Sequence, residues 1–165
     1  MTISSILWIV LLTTSGQTAY LNDPKSVDAM MCGPATEIFL PDPQRQVSPN
    51  VRLEHLQFMS PDDPCGRNFE HDDVTRLQDQ VKSIAASSLS KSEASFGILV
   101  QYTLTSGSPA AFEMRTMDAP DTEKERLTDF YNAAKALKAF QPSSGTVYVA
   151  IQYKISPASI SAGGG

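Results

Sequence analysis

Ten residues near the C-terminus, TVYVAIQYKI from Thr146 to Ile155, constrain the fold of this 165-residue chain more than any other stretch. Val147, Val149, Ile151, Tyr153 and Ile155 alternate with Tyr148, Ala150, Gln152 and Lys154. A period of two places the first set on one face of a β-strand, and no helix reproduces it. The run is about twice the common strand length of roughly five or six residues, so it needs long partners.

The preceding sequence supplies partners and cover. Asp72 or Asp73 can cap a helix in which Val74, Leu77, Val81, Ile84, Ala85 and Leu89 recur at helical spacing. The serine-rich SSLSKSEAS ends it. FGILVQYTL, from Phe96 to Leu104, then alternates, with Ile98, Val100, Tyr102 and Leu104 on one face. TSGSP is a turn in which Gly107 supplies positive φ, and AAFEMRTM returns with Phe112, Met114 and Thr116 on one face. Thr122 with Glu125 reads as a capping box for a second helix. Its stripe is Leu127, Phe130, Tyr131, Ala134, Leu137 and Phe140, and Pro142 cannot continue it. The expectation is an α+β fold in the order α-β-β-α-β. A three-stranded antiparallel sheet is packed by two helices over residues 72–157, and residues 158–165 form a flexible tail.

Residues 20–71 read differently. Seven of the eleven prolines fall here: Pro24, Pro34, Pro41, Pro43, Pro49, Pro61 and Pro64. That density forbids long helices and predicts an irregular segment wrapped over the second half. EIFL (Glu37 to Leu40) and VRLEHLQFM (Val51 to Met59) are its candidate strands, the latter with its alternation broken near Leu56. Cys32 and Cys65 sit beside turn residues, in CGP and PCG. Such places suit a surface disulfide closing a loop of about 30 residues, worth roughly 3–4 kcal/mol, in an oxidising compartment. Two unrelated thiols are the alternative.

Residues 1–19 point the same way. The apolar run Ile6 to Leu12 is too short to span a bilayer, and small and polar residues follow it. This is the layout of a secretory signal peptide cleaved after Ala19, although no Lys or Arg precedes the apolar run. A buried N-terminal strand, ILWIVLL, is the competing reading. The signal-peptide reading implies a periplasmic or secreted protein without a stable membrane anchor.

Chemistry is sparse. A formal net charge of -5 and the lack of a basic run interleaved with aromatics argue against nucleic-acid binding. No G-x-S-x-G, phosphate loop, HExxH or CxxC occurs. His71 lies beside Asp72 and Asp73, but helix capping accounts for those aspartates without a metal. Asp62 and Asp63 read as solvated loop. Met30, Met31 and Met59 read as packing. The expectation is a non-enzyme with no metal and no cofactor. An enzyme with a scattered active site around His55 or His71 is the contrary reading.

The element order, with QDQVKSIAASSL, ILVQYTLTSGSPAAFEMRTM and FYNAAKALKAFQPSSGTVYVAIQYKI in succession, resembles the C-terminal domain of the TonB/TolA family over residues 72–157. The resemblance implies a periplasmic domain that docks envelope proteins, one mode being addition of a peptide strand to an exposed sheet edge. Energy-transducing members carry a membrane anchor and a long linker; neither is visible here, so a stand-alone docking domain is expected. The candidate edge is the last strand, Val147, Tyr148, Val149, Ala150, Ile151, Gln152, Tyr153 and Lys154. An edge strand can also pair two copies into a homodimer. The alternative function is a periplasmic inhibitor or immunity protein that inserts the loop Met59 to Asn68 into a toxin or hydrolase.

Overall fold

The computed structural model describes residues 18–20, 36–39, 42–63 and 67–157, with side chains from residue 43 onward. The apolar run 6–12, the expected disulfide partners Cys32 and Cys65, and the tail 158–165 lie outside the described residues. In chain order the elements are β1 (Thr18–Tyr20), β2 (Thr36–Phe39), α1 (Asp42–Arg45), β3 (Gln46–Ser48), β4 (Val51–Met59) and α2 (His71–Leu89). Then come β5 (Phe96–Thr105), β6 (Ala111–Met117), a 3-10 turn (Asp121–Glu123), α3 (Lys124–Lys135) and β7 (Thr146–Ile155).

The fold is α+β, with an antiparallel sheet and helices. The expected three-stranded sheet is corrected: five strands run in the order β2-β4-β7-β5-β6, with β1 added parallel to β2 and β3 attached to β4. The reason lies in β4. It pairs with β7 from Val51 opposite Ile155 to Met59 opposite Tyr148. The expected irregular segment thus contributes a central strand, and a boundary at residue 71 does not divide the sheet. The broken alternation near Leu56 is a register shift between Leu53 and His55. One extra residue there lets Val51, Leu53, Leu56 and Phe58 all reach the same buried face. β1 includes Thr18 and Ala19, so it straddles the expected cleavage point.

Both helices lie over one face of the sheet. Ile98, Val100, Tyr102 and Leu104 of β5 join Val147, Val149, Ile151, Tyr153 and Ile155 of β7 in one core with Leu77, Val81 and Leu89 of α2 and Phe130 and Ala134 of α3. Each large aliphatic side chain so buried stabilises the fold by about 1.5–3 kcal/mol. Helix starts differ from the expected caps. α2 has Glu70 at its N-cap with no side-chain cap, and Asp72 and Asp73 stand inside the first turn, where the helix dipole favours carboxylates. Asp73 pairs instead with Arg76 at 3.3 Å. Thr122 does not cap α3, because the 3-10 turn absorbs it and the α-helix begins at Lys124. α3 also stops at Lys135, short of Phe140; the Tyr102 hydroxyl donates to the Ala134 carbonyl at 2.8 Å, closing that end onto β5.

Polar clamps lock the periphery. Asn68 donates to the Ser144 carbonyl at 2.8 Å and accepts from Ser60 Oγ at 3.1 Å, while its own carbonyl accepts from the Ser143 N–H at 2.7 Å. Asp62 Oδ2 accepts from the Thr146 N–H at 2.9 Å. Gly145, at φ 63°, fits beside Asp62 where a Cβ would lie 2.8 Å from that side chain. At the other end, buried Asn50 donates to the Leu89 carbonyl at 3.1 Å and so caps α2.

Candidate functional site

The predicted docking strand occupies the middle of the sheet. Tyr148, Val149, Ala150, Ile151, Gln152, Tyr153 and Lys154 face β4 on one side and β5 on the other, and Val147 pairs with Leu104 of β5. A strand hydrogen-bonded on both sides has no free N–H or C=O row to offer. The edge assignment to β7 is therefore corrected. Its cause is β4, a candidate strand in the sequence whose place beside β7 no local pattern marks. Lys154 is exposed at the end of this central strand, opposite Arg52 and Gly97.

Among the described residues the strand path ends at three-residue β1 on one side and at seven-residue β6 on the other, and β6 is the long open edge. It pairs with β5 from Gly97 opposite Met117 to Thr103 opposite Ala111, and it has no second strand neighbour among the described residues. Alternate backbone N–H and C=O groups of Ala111–Met117 thus point outward from the sheet. Toward the helices, Phe112 and Met114 are half-buried against the core. The Phe112 ring lies between Tyr102 and Tyr131, with centroids at 5.0 and 5.4 Å. On the opposite face Glu113 and Arg115 stand two residues apart, 65% and 52% exposed, with 3.9 Å between their charged atoms. Met117, at 43%, is the exposed large hydrophobic residue among the described residues. Charges at alternate positions of an otherwise apolar strand are a common signature of an edge, and this signal in AFEMRTM went unread.

The face of the sheet away from the helices carries mostly uncharged side chains. Leu99, Gln101 and Thr103 of β5 and Tyr148, Ala150 and Gln152 of β7 are half-buried there. Gly97 leaves room for the Met117 side chain, whose methyl would stand 2.6 Å from a Cβ at that position.

The remaining candidate groups are dispersed. Asp62 and Asp63, expected as solvated loop, both accept backbone hydrogen bonds, from the Thr146 and Arg67 N–H groups. His55 is exposed on the β4 bulge, and His71 opens α2 with Nδ1 buried and without a protein partner. Glu123 is 1% exposed; it accepts from the Glu93 N–H at 3.1 Å and pairs with Arg126 at 3.2 Å, anchoring the start of α3. The Tyr153 hydroxyl is buried and has no protein partner. Burial pushes both the Tyr102 and Tyr153 phenols well above the ordinary tyrosine value, and Tyr102 and Asp79 add to the rise at Tyr153. Among the described residues no three His, Cys, Asp or Glu side chains gather as a metal site, and no helix is long and apolar enough to cross a membrane.

No family model, no curated protein and no solved structure matches the chain.

Proposed function

We propose that the protein is a binding module of the periplasm or cell exterior that takes an extended segment of an envelope protein as an added strand on β6. The observation that carries this reading is the one-sided pairing of Ala111–Met117. Backbone groups there supply affinity, and the apolar shelf of Phe112 and Met114 supplies a place for alternate side chains of the added strand. The TonB/TolA-like succession of elements and the signal-like N-terminus support the docking role and the compartment. The loop reading of an inhibitor has less support, because Asp62 and Asp63 are engaged within the protein.

A photo-crosslinking residue at Thr116, which is exposed on this edge, tests the reading against the same residue at Glu125 on α3. In envelope extracts, Thr116 should capture a defined polypeptide through one extended segment. Glu113→Pro and Met114→Pro remove adjacent N–H groups that point in opposite directions, so one of them removes an outward donor. Capture should disappear in the variant that stays folded. Equal capture from Glu125, or undiminished capture by the folded proline variant, refutes strand addition.

A further inference from the structure

The free edge has a chemistry of its own, and it is self-complementary. The strand reads Ala111-Phe112-Glu113-Met114-Arg115-Thr116-Met117. We propose that the occupant this edge fits is a second copy of the chain, paired β6 to β6 antiparallel about a two-fold axis at Met114. The inference rests on β6 being an open edge, as the functional reading does, and it assigns that edge a different occupant.

In that register Met114 meets Met114 of the other copy. Glu113 of each copy stands opposite Arg115 of the other, and the two-fold makes this happen twice. Phe112 stands opposite Thr116, and Ala111 opposite Met117, which covers the exposed Met117 side chain. Residue numbers of opposed positions sum to an even number, so both members of each pair direct their backbone groups alike, as antiparallel pairing requires. A two-fold perpendicular to the sheet keeps each face on its own side. The half-buried Phe112 and Met114 of both copies then form one continuous apolar strip under the helices.

Charge selects this register over its neighbours. Moving the axis to Glu113 sets Glu113 against Glu113, and moving it to Arg115 sets Arg115 against Arg115. Like charges directly opposite each other destabilise a strand pair, and opposite charges stabilise it. Each of these side chains is more than half exposed and already lies near the other within one chain, so both are positioned to exchange partners without refolding. A pair of seven-residue strands is a small interface, so association depends on concentration. Pairing would also shield the open edge from indiscriminate strand addition.

The test uses the full chain in sedimentation velocity from about 1 μM to about 1 mM, a range that brackets weak association. Wild type should shift from monomer to dimer. Glu113→Arg and Arg115→Glu each place like charges at both contacts and should weaken self-association at least about tenfold. The double variant with both exchanges should regain it, and a mixture of the two single variants should form heterodimers. Matching far-UV circular dichroism and thermal midpoints keep the comparison on folded protein. A monomeric wild type across the range overturns the proposal, as does dimerisation indifferent to the single exchanges or not restored by the double one. Thr116 crosslinking separates the two readings. Capture of another protein by a monomeric wild type leaves strand addition standing alone. Charge-dependent dimers with no other protein captured leave self-pairing standing alone.

Discussion

Two buried tyrosines, similar in burial and opposite in hydrogen bonding, allow the core to be tested by removing one oxygen at a time. The Tyr102 hydroxyl donates to the Ala134 carbonyl at 2.8 Å; the Tyr153 hydroxyl, in the same core, has no protein partner. Deleting a satisfied hydroxyl forfeits about 1 kcal/mol net, whereas deleting a buried unsatisfied one relieves a desolvation cost of about 1–3 kcal/mol. Tyr102→Phe should therefore destabilise by about 1 kcal/mol and Tyr153→Phe should stabilise by about as much. With a urea slope near 2 kcal/mol/M, the midpoints should move by roughly 0.5 M in opposite directions. The pH dependence supplies an independent check. Burial raises both phenols in the folded state, so the unfolded chain loses these protons first. Their contribution is fully present below the ordinary tyrosine pKa of about 10 and is lost as pH rises above it. Each buried phenol takes away about 1.4 kcal/mol per pH unit there. Wild type should lose up to about 2.7 kcal/mol per unit above pH 10, and either Phe variant about half that. Urea titrations followed by far-UV circular dichroism from pH 7 to 11 read both effects. If Tyr153→Phe destabilises by more than about 1 kcal/mol at pH 7, the hydroxyl has a partner, such as a buried water, and the reasoning fails.

Other expectations follow from the clamps and from the sheet order. Val149→Pro, in the strand flanked by β4 and β5, should unfold the protein outright, seen as loss of a cooperative thermal transition. Asn68→Ala should cost about 2 kcal/mol in urea unfolding, because its side-chain hydrogen bonds with Ser60 and with the Ser144 carbonyl both disappear. Gly145→Ala should cost at least about 1 kcal/mol from its positive φ, and more from crowding Asp62, while Gly107→Ala should cost only the φ strain because open space surrounds that glycine.

Legibility followed periodicity. β5, β7 and α2 could be read because their apolar residues repeat cleanly and both hairpin partners are adjacent in the chain. β4 was visible as a strand, but its place beside β7 was not. The bulge at Leu53/His55 breaks its period, and Val51 and Ile155 stand more than a hundred positions apart in the chain. That one omission moved the edge from β6 to β7. Caps were misread for a different reason. Thr122 and Asp72 have suitable side chains, yet the preceding backbone directs the chain into a 3-10 turn or places the N-cap two residues earlier, at Glu70. The Asn68 and Asp62 clamps join positions 76 and 84 residues apart, and no local pattern marks them.

The last strand in chain order among the described residues is the one on which the rest of the sheet depends. β4 and β5 do not touch as strands; each is joined to the sheet's centre only by β7, at residues 146–155. A nascent chain can close the β5–β6 hairpin and wind α2 early, since those contacts are local. It cannot assemble the core until residues 146–155 have emerged, because the strand that joins β4 to β5 follows both of them in the chain. Until then the apolar faces of β4 and β5 stay uncovered.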